Sequence, residues 1–342
     1  MRTLSVKKIS LVIAAIDTYD EIKDLLCHVE QQTIRQHLEV LIICRTRERL
    51  NAPESALPDM QNLRFIEGGK NIMLNQARAL GVRESEAPYV AILEDHCFPA
   101  PSWAEHMLLR LEEGWTGVGP VIALANPKTI QAQAAIMMAY GQWLPPISAG
   151  QRDYIPGHNS IFVRKVLLER GNRLEGDMVA SSLMQAELRQ QGHRFYVEDK
   201  AVMYHWECSK WRGLWEIYIP VGRASGALRA RDWRAGQKVL YGFATPLIAG
   251  VRWSRALVAF SRTHKTYSFS FLAPLFACLI SAIWSFGELL GFWFGFGNSL
   301  EGASDGERNR PRYLRSGEWP QPIMLFVPEE SIQSEDNNVK KY

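Results

Sequence analysis

Ile9 to Ile16 is a nearly unbroken apolar run rich in Ile, Val and Ala, and a second bare run, Val40 to Ile43, follows the helically spaced Ile22, Leu25, Leu26 and Val29. A strand without polar alternation is one covered on both faces, the condition of a parallel sheet rather than of an exposed hairpin. Leu63 to Ile66 predicts a third strand, Met73 to Val82 a helix ending near Gly81, and Tyr89 to Leu93 a fourth strand. The expected fold class is therefore α/β: an open, mostly parallel sheet flanked by helices, with its ligand site where the strands end. Farther on, Ser102 to Leu111 reads as a helix and Gly117 to Leu124 as a strand, and Ile161 to Leu168 follows a turn at Pro156 and Gly157. Ala180 to Gln191 has helical composition and stops at Gly192, before two short extended pieces, Phe195 to Val197 and Ala201 to Tyr204.

With 342 residues, 47% of them apolar, the chain builds a core without disulfides or a structural metal. Thirty-nine basic against 36 acidic residues leave a formal charge of +3, too balanced for a nucleic-acid binder acting through its overall field. The five cysteines form no C-x-x-C pair, so neither a zinc ribbon nor a disulfide framework is indicated and a reducing compartment fits. The apolar run near the N-terminus is too short for a signal-peptide core and reads as the first strand.

From Trp206 the composition changes. Trp206, Trp211, Trp215, Trp233 and Trp253 are interleaved with arginines, a mixture suited to a bilayer interface. Phe269 to Phe296 then holds 28 residues with one charge, Glu288, long enough to cross a hydrocarbon core of about 30 Å. Gly287, Gly291 and Gly295 recur every four residues on one helix face, the small-residue surface that lets helices pack closely. A buried hairpin of a soluble domain is the alternative, because Pro274 and Glu288 interrupt the run. Arg255, Arg262 and Lys265 ahead of the run place the preceding domain on the cytoplasmic side by the positive-inside bias, hence at the inner membrane of a cell. Residues 1–235 are expected to form the sheet domain, 236–297 the membrane-associated helical region, and 298–342 a polar, mostly disordered tail.

The segment YVAILEDHCFP sets Glu94, Asp95 and His96 directly after a buried strand, at the ligand edge of a parallel sheet. Glu94 and His96 are one residue apart, so in an extended turn both reach one point, and a carboxylate with an imidazole suits Mn²⁺ or Mg²⁺ with open positions for phosphate oxygens. The other reading is a solvated acidic turn with one satisfied histidine.

In order along the chain, SLVIAAID, EVLIICRTRE, QARALG, APYVAILEDHCFPAPSW, PGHNSIFVRKVLLERG, LMQAELRQQGHRFYVEDKAVMYHW and GELLGFWFG resemble segments of the family 2 glycosyltransferases with the GT-A fold, membrane-associated members included. The resemblance implies a hexosyltransferase-like enzyme that moves a sugar from a nucleotide diphosphate donor to a glycan or a polyprenyl or other lipid-linked acceptor, with inversion and a divalent cation. It makes Glu94, His96 and the distant His205 the metal ligands, and Asp17, Arg78 and Asp95 the donor contacts. An acid-x-His turn with a distant His also resembles the metal site of polypeptide N-acetylgalactosaminyltransferases. His158 and Asn159, after the turn at Gly157, are expected at the acceptor or donor sugar, and GRASGALRARDWRAGQK suits the phosphate of a lipid or polyprenyl acceptor.

Three departures from that pattern stand out. Cys44 and Arg45 replace the aspartates that read the base, Ala79 replaces an Asn, and the acidic pair that supplies the base in inverting members falls on Ala180 and Ser181. The nearest carboxylates, Asp177 first and Glu175 second, are therefore the expected general base. The alternative is a catalytically inactive GT-A-like module that binds a nucleotide sugar or glycan at the membrane. A sugar-phosphate nucleotidyltransferase is set aside, because AAIDTYDEIKD lacks the Gly-rich, Arg-bearing loop such an enzyme needs after its first strand.

Overall fold

The structure is a computed structural model and describes residues 6–54, 57–60 and 62–316. Nine strands join in one sheet: β1 (Ile9–Ala14), β2 (Leu38–Cys44), β3 (Leu63–Glu67), β4 (Tyr89–Leu93), β5 (Cys97–Pro99), β6 (Gly117–Leu124), β7 (Gly150–Arg152), β8 (Ile161–Val163) and β9 (Phe195–His205). Their order is β3-β2-β1-β4-β8-β6-β9-β5, with β7 against β9. Every residue of β1, β2 and β6 is buried, as bare apolar runs require when helices cover both faces.

The four strands from β3 to β4 are parallel, as expected. Beyond them the sheet is mixed, because β8 runs antiparallel to both β4 and β6. Two reversals cancel, so β6 and its parallel neighbour β9 point the same way as β4. The carboxyl ends of β1, β4, β6 and β9 consequently share one edge. The two extended pieces expected around 195–204 are a single strand, bulged where its register against β6 shifts after Pro120.

The second half is a helical layer. Helix Trp211–Arg229 crosses helix Ala273–Phe294, and glycines make the crossing close: a Cβ on Gly222 or Gly226 would strike the backbone of Trp284 or Glu288, and one on Gly287 or Gly291 would strike that of Ile219 or Arg223. The four-residue glycine repeat thus packs as the sequence suggests, except that Gly295 ends the helix at a φ of 67°. By length and composition Ala273–Phe294 is the one helix among the described residues able to cross a membrane, and half of its apolar window is buried in the protein. Both its ends rest on the same folded body: the Ser270 amide donates to Gln133 Oε1 (2.8 Å), and Arg223 Nε donates to the Gly295 carbonyl (2.9 Å).

The tail corrects an expectation. Residues 299–308 form a helix (Ser299–Arg308), Arg310–Tyr313 a turn of 3₁₀ helix, and both fold back onto the sheet domain. Lys210 Nζ donates to the Arg312 carbonyl, the Ser209 and Lys210 amides donate to that of Tyr313, and the Tyr313 ring is buried. These residues have little hydrophobic periodicity of their own; they are ordered by partners supplied from elsewhere. Residues 317–342, the remainder of the expected tail, lie outside the described residues.

Overpacking a close crossing typically costs about 1–3 kcal/mol. Gly226→Val and Gly287→Val should each lower the unfolding free energy of the chain by that order, measured by denaturant titration. Gly250→Ala, in a helix with open space around it, should be neutral or slightly stabilising.

Candidate active site

The Glu94-Asp95-His96 turn leaves β4 and enters β5, whose antiparallel register sets Cys97 opposite His205 at the end of β9. The Trp206 amide also donates to the His96 carbonyl (3.2 Å). That pairing joins residues more than a hundred positions apart. The ligand atoms of Glu94, His96, Cys97 and His205 lie within 4.8 Å of one another, all buried. The imidazoles of His96 and His205 meet edge to face, ring centroids 4.8 Å apart.

Glu94 is the hub. Its Oε1 accepts from His158 Nδ1 (3.0 Å), and its Oε2 accepts from Asn159 Nδ2 (2.7 Å), Tyr140 Oη (3.1 Å) and Cys97 Sγ (3.4 Å). Burial opposes its charge, but the His158 hydrogen bond and the neighbouring imidazoles outweigh it and hold the carboxyl well below its usual range. Burial, helped by the positive charge of Arg310, pushes His96 down to about 3, and burial beside His96 lowers His205 as well. Both rings are neutral, the form that ligates metals. His96 Nδ1 is 2.7 Å from Asp95 Oδ1, which leaves its buried Nε2 without a hydrogen-bond partner; His205 Nδ1 has none either and lies 3.4 Å from Glu207 Oε1. One carboxylate, a neutral His96 whose free Nε2 is backed through Nδ1 by Asp95, and a neutral His205 whose Nε2 lies 3.8 Å from Glu94 Oε2 fit a divalent cation.

Burial and the nearby charge of Glu307 push Asp95 up to about 8, and burial raises Glu207 to about 7. Beside the cluster opens a cavity of about 430 Å³, lined by Glu94, Tyr140, His158, Ser181, Ser182, His205, Glu207 and Arg310 and, toward the helical layer, by Arg229, Arg252, Arg255, Trp284 and Glu288. A cavity of that size suits a small ligand.

The other expected residues divide. Arg78 is buried in hydrogen-bond contact with His158 (3.2 Å) and pairs with Glu307 (3.0 Å). Asp17 binds Arg45 (3.0 Å), Arg49 (2.7 Å) and Arg308, so Arg45, one of the departures, supplies the carboxylate with a partner. His158 lines the cavity, whereas Asn159, expected at a sugar, is fully buried at a φ of 64°, its Oδ1 accepting from the Glu94 amide (3.2 Å). It positions Glu94 rather than meeting an acceptor.

The base assignment is also corrected. Asp177 is buried in a bidentate pair with Arg170 (2.7 and 3.2 Å), and Glu175 lies on the surface, paired with Arg83 (3.4 Å); neither lines the cavity. Their proximity in sequence to the expected position did not translate into proximity in space, because the short helix Leu174–Asp177 turns both side chains away. Sequence reasoning missed Cys97, Tyr140, Glu207, Glu307 and Arg310. Cys97 and Glu207 each stand within two residues of an expected ligand, the one signal that pointed to them; the others come from distant segments.

A family model described as glycosyl transferase family 2 matches residues 10–170. Among solved structures, one described as the crystal structure of GalNAc-T7 with UDP, GalNAc and Mn²⁺ is similar over 59% of this chain at 13% identity and a TM-score of 0.45. The chain spans 43% of the length of that protein's chain. No curated protein matches.

Asp95 titrates near 8 when folded and near 3.8 when free, so the unfolded chain sheds its proton first and stability falls as pH rises from about 4 to about 8. Asp95→Asn should remove that loss. Denaturant titration in chelator should show its stability advantage over the native chain growing across this window and levelling above it.

Proposed function

We propose that the chain, whose residues 10–170 match the glycosyl transferase family 2 model, is a glycosyltransferase that transfers a sugar, with inversion, from a nucleotide diphosphate donor to a hydroxyl of a glycan or lipid-linked acceptor at a membrane surface. The observation that carries this reading is the buried Glu94, His96 and His205 cluster at the strand ends, opening on the cavity. Those three residues would hold a divalent ion, Mn²⁺ or Mg²⁺, which when bound neutralises a diphosphate leaving group. Asp95 orients the His96 imidazole, and Asn159 and Tyr140 fix the Glu94 carboxylate. Arg78 serves the donor side.

Glu207 is the carboxylate best placed to act as base, since it lines the cavity and its buried Oε1 accepts no hydrogen bond. Glu94 is committed to the cluster, Glu307 to Arg78, and Glu288 to Arg229 (3.2 Å) and Arg252 (3.0 Å).

The acceptor's class follows from the cavity's other end. Arg255 is exposed there with no ion-pair partner among the described residues, and it adjoins an apolar surface. Fifteen of the 21 large apolar side chains exposed among the described residues lie between Val239 and Phe294, including Phe243 (75%), Leu247 (74%) and Phe271 (80%). A concentration of that kind marks a lipid or protein contact rather than ordinary surface. With both ends of Ala273–Phe294 on one body, attachment in the plane of the bilayer suits it, and a phosphate-bearing lipid would meet Arg255 at the cavity mouth. The exposed Arg255 and Lys265 beside this apolar face would suit the anionic cytoplasmic leaflet of an inner membrane.

One observation favours the alternative of a binding module: Ala180 and Ser181 line the cavity at the positions where the family pattern places an acidic pair. Metal-dependent release of nucleotide diphosphate from a panel of sugar donors separates the two, because a module binds donor and releases none.

His205→Ala and Glu94→Gln should each weaken Mn²⁺ binding about 10- to 100-fold and abolish metal-dependent donor binding, read by calorimetry. Glu207→Gln should keep donor binding and lower turnover by about 10²-fold or more. Leu247→Asp with Phe243→Asp should release the chain from anionic vesicles in a flotation assay; unchanged flotation would remove the apolar face from this account.

A further inference from the structure

Helix Ser299–Arg308 and the turn after it carry Glu307, Arg308 and Arg310 back from the far end of the apolar helix to the carboxyl edge of the sheet. Glu307 takes Arg78 and Arg308 takes Asp17, so this one segment reaches both residues expected at the donor. Arg310 goes deeper. It is 7% exposed, lines the cavity beside His205 and Glu207, and makes no hydrogen bond among the described residues. Its nearest carboxylate oxygen, Glu207 Oε2, stands 3.9 Å from Nη1, and its Nε is buried without an acceptor.

A buried guanidinium without a hydrogen-bonded carboxylate is costly, and such a residue is retained where it meets an anion. Of the other cavity arginines, Arg229 and Arg252 are held by Glu288, and Arg255 stands exposed at the cavity's other end. We propose that Arg310 is a donor-binding residue that grips the diphosphate of the nucleotide sugar beside the metal cluster, which makes the C-terminal return segment part of the active site. This rests on the glycosyltransferase reading above and adds to it a residue beyond the matched 10–170 segment. The planar guanidinium offers paired donors to phosphate oxygens. Arg310 would share with a divalent ion held by Glu94, His96 and His205 the neutralising of the diphosphate, as the acceptor oxygen bonds to the anomeric carbon, its proton passes to Glu207, and the bond from that carbon to the phosphate oxygen breaks with its electron pair leaving on the diphosphate.

The test uses the full chain in detergent, with inorganic pyrophosphate and Mn²⁺ as the probe because it carries no base. Calorimetry on Arg310→Gln should show Mn²⁺-pyrophosphate affinity lowered about tenfold to a hundredfold, with Arg310→Lys losing less. Mn²⁺ affinity without pyrophosphate should stay native, a readout that a fold defect would disturb. Arg312→Gln, exposed and two residues on, should change neither. Native pyrophosphate affinity in Arg310→Gln would overturn the assignment while leaving the enzyme reading in place. A wild-type chain that binds Mn²⁺ but neither pyrophosphate nor any nucleoside diphosphate would overturn both. Should Arg310→Gln fail to fold, the same comparison is made on Arg310→Lys, where affinity equal to wild type counts against the proposal.

Discussion

A carboxylate buried as deeply as that of Glu94 is tolerated only if its charge is compensated, and the compensation comes from every part of the site. His158 and Asn159 reach it from the turn before β8, Tyr140 from helix Ile130–Tyr140, and Cys97 from the start of β5, with His205 of β9 3.8 Å away. Removing any one of these donors leaves part of the carboxylate unsatisfied. The cluster is thereby rigid before any ligand arrives, which is what binding a metal and a diphosphate in a fixed geometry requires.

The position of Glu94 depends in turn on sheet topology. With β8 reversed between β4 and β6, the ends of β4 and β9 fall on the same edge, and β5 closes the remaining gap by pairing its first residue with the last of β9. The helical layer adds the other wall. Its glycine crossing brings helix Ala273–Phe294 close enough for Trp284 and Glu288 to line the cavity, and the chain then returns across helix Trp211–Arg229 to deliver Glu307, Arg308 and Arg310. A surface exposing large apolar side chains and a cavity lined by charged groups are thus two faces of the same helices.

The parallel half of the sheet was legible because its strands are bare apolar runs, and burial on both faces leaves no other economical pattern. The convergence of the three residues expected to hold a metal was legible for a related reason: Glu94, His96 and His205 follow strands, and strand ends in an open α/β sheet converge. Asp177 and Glu175 were misjudged because closeness in sequence says nothing about the direction in which a short helix turns a side chain, and Arg170 supplied the better partner. The segment after Asn298 was misjudged because its order comes from contacts about a hundred or more residues away, Arg308 with Asp17 and the Tyr313 carbonyl with Ser209.

By itself the sequence determined which segments are covered on both faces, which glycines allow two helices to touch, and which acid and imidazole residues end strands. All of these are local properties, set by side-chain chemistry at a fixed spacing. Only the tertiary structure decided which charges meet. Arg45 with Asp17, Asn159 with Glu94, and Arg310 beside Glu207 are pairings across strands, turns and a return segment, and a buried charge is stabilised by whatever the fold places within a few ångströms, however far away it lies along the chain.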